Sequence, residues 1–155
     1  MDFEEKLKQA ISRGKDRAEV DRVSDASRQM SHEELRRRHT ECRLDLSEYI
    51  EQVLRKLANH FPGFAYETVY GERGWGGGLS RDDLMRGGSF FSRIEIVVRP
   101  YNNFNVVNIS GKGTVKNREI ANWNHFQEVA SVDLDEFRQK IDSWILLYAE
   151  QFAAK

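Results

Sequence analysis

Between Ser31 and His60 the apolar residues Leu35, Cys42, Leu46, Tyr49, Ile50, Val53, Leu54 and Leu57 fall on one stripe at the helical period. Ser31 followed by Glu34 makes a capping box at the start, and Phe61-Pro62-Gly63 interrupts the pattern at the end. The spacing predicts a long amphipathic helix. Upstream, Phe3, Leu7, Ala10 and Ile11 form a short apolar face, whereas residues 12–29 add only Ala18, Val20, Val23 and Ala26. That segment reads as a helix with a thin face, too weakly amphipathic to be tied firmly to a core.

After Pro62 the period changes to two. Phe64, Tyr66, Thr68 and Tyr70 alternate with Ala65, Glu67, Val69 and Gly71, and Phe90, Ser92, Ile94, Ile96 and Val98 alternate with Phe91, Arg93, Glu95, Val97 and Arg99. Pro100-Tyr101-Asn102-Asn103 reads as a turn, and residues 104–115 and 119–130 read as two further strands joined at Lys116-Asn117-Arg118. The chain then returns to helical spacing, with Leu134, Phe137, Ile141, Trp144, Ile145, Tyr148 and Phe152 on one stripe behind a capping Asp133. Leu146 points roughly opposite that stripe.

These elements predict an α+β fold: an N-terminal helical region, a four-stranded antiparallel β-meander, and a C-terminal helix packed on the sheet. A sheet with one apolar face must be covered, and the last helix is the available cover. A chain of 155 residues is expected to form a single domain over 1–155, with 31–155 as its compact core and 1–30 as a loosely packed helical arm.

Charge narrows the choice of partners. There are 24 Lys and Arg against 25 Asp and Glu, a net charge of -1, spread evenly along the chain. No nucleic-acid partner is expected, because phosphate contacts dominate such binding and need a basic surface. Arg36-Arg37-Arg38 does not supply one, since consecutive helical residues point about 100° apart. The opening Met1-Asp2-Phe3-Glu4-Glu5-Lys6 lacks a secretory pattern, and no apolar run approaches the roughly 18 residues of a membrane span. No membrane association and a cytoplasmic location are the expectations, and the single Cys fits a reducing compartment.

Candidate chemistry is sparse. His39 and Cys42 lie three apart on the apolar stripe of their helix and read as core or interface residues; no metal site is expected, since zinc needs three or four ligands. His32, His60 and His125 have no carboxylate or nucleophile at a motif spacing, so no catalytic residues are named and no cofactor is implied. The most unusual stretch runs from Gly71 to Gly88 and holds seven of the eleven glycines. It reads as a long glycine-rich loop, a type that is either functional or mobile. It lacks the Lys-Ser/Thr ending of a P-loop. Within it Arg73, Arg81 and Arg86 are candidates for holding a small anionic ligand, and Trp75 is a candidate anchor for a partner. Further on, Asn122 and Asn124 share one strand face and Trp123 and His125 the other, so the two Asn would stand on an open polar face suited to a ligand.

Two functional readings follow. The first is a non-enzymatic binding or adaptor module that self-associates, a homodimer or other homo-oligomer, because the long helix carries a near-heptad series and Leu44 and Leu146 are apolar residues to spare. The second is a binding protein or enzyme for a small anionic molecule, built around loop 71–88.

Overall fold

The computed structural model describes residues 2–30 and 32–154, of which 22–30 by backbone alone. The chain divides into two units, one ending at Leu35 and one beginning at Arg36. The first contains helix α1 (Phe3–Met30). Asp2 caps it, its Oδ1 accepting the Glu5 N–H at 2.9 Å, and Glu4 and Glu5 complement the positive end of the helix dipole. Phe3, Leu7 and Ile11, the expected apolar face, are all exposed. Ser31, the expected cap of the next helix, lies outside the described residues.

That next helix is α2 (His32–His60), most of which belongs to the second unit. It is followed by β1 (Ala65–Val69), β2 (Trp75–Met85), β3 (Gly88–Val98), β4 (Val106–Val115) and β5 (Arg118–Glu128), then a short turn of 3-10 helix (Val129–Ser131) and α3 (Leu134–Ala154). The strands form one antiparallel sheet in the order β1-β2-β3-β4-β5. The fold is α+β with an antiparallel meander, and the meander has five strands where the sequence pattern predicts four.

The additional strand is β2, which occupies most of the expected loop 71–88. Its hydrophobic alternation is erased because Gly76, Gly77 and Gly78 carry no side chains, and the reason lies in their neighbours. A Cβ at Gly77 would come within 2.6 Å of the Tyr66 hydroxyl, one at Gly78 within 2.5 Å of Arg93 Nη2, and one at Gly76 would strike the Ile96 carbonyl. Side chains from β1 and β3 lie across β2 and fill the space its own would need. What remains of the loop is two tight turns, one before β2 in which the Gly74 N–H donates to the Gly71 carbonyl at 3.1 Å, with φ of +126° and +127° at the two glycines, and one between β2 and β3.

One face of the sheet is the core. Leu79, Ile94, Ile96, Val98, Val107 and Ile109 are all fully buried there, paired in register as Leu79 with Ile94 and Val98 with Ile109. Helix α3 covers the β4 and β5 side of this face: Trp144 stacks on Trp123 at 5.5 Å, Phe137 meets His125 edge-on at 4.9 Å, and the Tyr148 hydroxyl donates to the Thr114 carbonyl at 2.8 Å. Helix α2 covers the β1 and β2 side, with the Arg55 guanidinium 4.2 Å from the Tyr66 ring centre and that of Arg43 4.1 Å from Trp75. Asp133 caps α3 through the N–H groups of Asp135 and Glu136, at 3.0 and 3.3 Å. Glu136, rather than closing a capping box, takes a hydrogen bond from Gln127 at 2.8 Å and ties the helix to the end of β5.

With five antiparallel strands between them, α2 and α3 run parallel, side by side. Arg138 pairs with Asp45 at 2.7 Å, and the Tyr49 hydroxyl donates to Asp142 at 2.5 Å. Both contacts join residues 93 apart. The helices therefore keep step, and Leu57 stands level with Glu150.

Candidate functional site

The residues singled out in the sequence are scattered by the fold. Trp75 is half-buried under Arg43 on the helix side of the sheet. Arg81 is on that side too, where its Nε donates to Asp83 at 2.8 Å, its Nη1 to the Pro62 carbonyl at 3.1 Å, and its guanidinium lies over the rings of Phe64 and Phe152. Arg86 is at the exposed β2–β3 turn. The three arginines thus do not converge, and the single anion-binding loop over 71–88 is not formed. Arg73 and Asn122, by contrast, line one small cavity on the open face of the sheet. Asn124 is exposed on that same face, opposite Ser110.

A larger concavity of the second unit lies elsewhere, in the outward seam between α2 and α3. It is a groove of about 660 Å³ lined by Val53, Leu57, Phe61, Ile145, Leu146 and Ala149, among others. Leu146 is 68% exposed, and Leu147 beside it is exposed as well. The apolar stripes of both helices are wider than the sheet requires: Leu46, Ile50 and Leu54 on α2 and Phe137, Ile141 and Tyr148 on α3 face the core, while Val53 and Leu146 turn toward the seam. An apolar opening of this size on a surface otherwise rich in charge is a feature of docking sites.

Charge is arranged along the groove's edges. Lys56 stands on the α2 edge, Asp142 and Glu150 on the α3 edge. Where α2 meets Asp142, burial and the hydrogen bond to that carboxylate push the Tyr49 hydroxyl up to about 12, so it remains a neutral donor joining the helices.

Two buried groups stand apart from the groove. His39 is buried against the Tyr101 ring, at 5.2 Å, and burial together with the nearby Arg43 lowers its pKa, keeping the imidazole neutral. Cys42, a turn further on, is buried and its thiol is pushed up by desolvation, which disfavours the reactive thiolate. Both fit a core role. Among the described residues there is no cluster of three or more His, Cys, Asp or Glu placed to hold a metal ion, and no helix is long and apolar enough to cross a membrane.

The sequence contained part of the signal for the groove. Leu146 and Leu147 follow two stripe residues directly, giving α3 apolar positions on more than one side. The pairing of α2 with α3, which turns those positions into a groove, depends on contacts between residues 93 apart. Set against protein-family models, curated proteins and solved structures, the chain matches none of them.

Proposed function

We propose that this chain is a non-enzymatic binding module that acts as a pair of identical copies, joined through the α2–α3 face. The observation that carries the reading is the apolar groove with Leu146 standing exposed in its α3 wall. An apolar recess with an exposed apolar residue in one wall is self-complementary: a two-fold axis sets each copy's Leu146 against the α2 wall of the other's groove, and both contacts form at once.

The charges at the edges select that occupant over an unrelated protein. With the axis running along the groove, α2 of each copy faces α3 of its partner, and residues keep their level. Lys56 then opposes Glu150, twice over, because Leu57 stands level with Glu150 in the parallel helix pair. Opposite charges meet at both edges while the apolar seam closes in the middle.

Light scattering on the purified protein tests this. The native chain is expected at twice the monomer mass and Leu146→Glu at the monomer mass, with unchanged circular dichroism. A native chain that stays monomeric across the accessible concentration range overturns the reading.

A further inference from the structure

We infer that the open face of the sheet holds a second site, independent of the helix seam, that binds the phosphate group of a small phosphate monoester. Outward positions of β3 and β4 meet there in register: Glu95 faces Lys112, and Val97 faces Ser110, while Asn122 of β5 stands beside Lys112. The Arg73 segment is drawn over this patch by two contacts. Arg99 Nη1 donates to the Arg73 carbonyl at 3.2 Å, and the Arg73 guanidinium reaches Glu95 at 3.4 Å. Between them lies a cavity of about 140 Å³ lined by Arg73, Glu95, Arg99, Ser110, Lys112 and Asn122, with Val97 and Gly111 behind.

The charge count identifies the ligand. Three cations, Arg73, Arg99 and Lys112, face one carboxylate, Glu95, and that carboxylate is already held by Arg93 at 3.0 Å. Arg93 itself lies flat across the face because Gly78 leaves room for it, and its other partner is Glu67 at 2.6 Å. Among the described residues, about two positive charges around the cavity are left without a counter-charge. A phosphate monoester carries about 1.5 to 2 negative charges at neutral pH, whereas a carboxylate carries one. The remaining lining groups are of the right kind: guanidinium forks, an ammonium, a Ser hydroxyl and an Asn amide all donate, and phosphate oxygens only accept. The volume suits a phosphate on a small molecule.

The test is a titration of the full chain with inorganic phosphate followed by amide chemical shifts, at ionic strength held constant with chloride, alongside acetate as the singly charged comparison. Saturable shifts are expected at residues 97–99 and 110–112, with acetate weaker. Lys112→Gln, an exposed position, should weaken phosphate binding about tenfold, the loss of one charge-assisted contact, while Arg86→Gln at the distant hairpin turn should change it less than about twofold. Shifts that do not saturate, acetate binding as tightly as phosphate, or equal losses in the two variants would each overturn the assignment. Because the site lies across the sheet from α2 and α3, the titration in Leu146→Glu should give the same result.

Discussion

On one side of the second unit, the outward seam of α2 and α3 presents Val53, Phe61, Leu146 and Ala149 to solvent with charges only at its edges. On the other side, the open face of the sheet presents Glu67, Arg93, Glu95, Lys112 and Asn122, and Arg93 bridges Glu67 and Glu95. Both surfaces face outward, and they differ in how their polar groups are spread: on the sheet face Arg93 links neighbouring strands, beside the exposed apolar Leu84, Phe91 and Phe126, whereas on the helix side the Asp45–Arg138 and Tyr49–Asp142 links stand at one end of an apolar seam. The helix seam is left apolar, and we read that difference as the mark of a surface that is covered in use.

The comparison is broken first if the helices are assigned the wrong way round. Trp144, stacked on Trp123, faces the sheet, and Leu146 faces away. Trp144→Ala should cost about 3–5 kcal/mol in chemical denaturation, whereas Leu146→Ala in dilute monomer should stay within about 0.5 kcal/mol. Equal losses would mean that α3 presents a different face to the core.

A smaller effect sharpens the account of the sheet. Gly76→Ala puts a methyl group onto the Ile96 carbonyl, and the strand must shift to admit it. An overpacking loss of about 1–3 kcal/mol is expected, while Gly14→Ala in α1, where nothing lies within 4 Å, should leave stability the same or raise it. The amides of residues 76–80 should also be protected from exchange, as those of a paired strand are. Fast exchange there would restore the loop that the glycine content suggests.

This strand is also where the sequence was least readable. In α2, α3 and β3 to β5 the apolar period survives in the side chains, because each of those elements buries its own. In β2 the space belongs to Tyr66 and Arg93, which cross over from neighbouring strands, and the polar run Ser80-Arg81-Asp82-Asp83 satisfies itself locally through the Arg81–Asp83 pair. Neither leaves a period-two trace. The candidate site residues are spread for the same reason: the segment that holds the three arginines is largely an extended strand, and of the candidates Arg73 and Asn122 share the lining of one cavity. The groove was half legible, since Leu146 stood out as surplus, but the helix pairing that shapes it rests on Asp45–Arg138 and Tyr49–Asp142, which no local pattern announces.

The smallest effect concerns the seam itself. Tyr49 is raised to about 12 in the folded protein from its ordinary 10, so its contribution is fully present below pH 10 and is lost as pH climbs to about 12, where the folded hydroxyl ionises. Tyr49→Phe removes this dependence. Melting temperatures of the two proteins should differ at pH 9 and converge toward pH 12; a constant difference would place the Tyr49 hydroxyl outside the seam.

The most direct measurement of the central claim is a charge exchange across the proposed two-fold, read as the dimer dissociation constant by sedimentation equilibrium. Lys56→Glu and Glu150→Lys should each weaken self-association about tenfold or more by setting like charges against each other at both edges, and the protein carrying both substitutions should recover most of the native affinity, because the pairs are re-formed with their signs reversed. A native chain that is monomeric, or a double variant no tighter than the single ones, would contradict the pairing of α2 with the partner's α3.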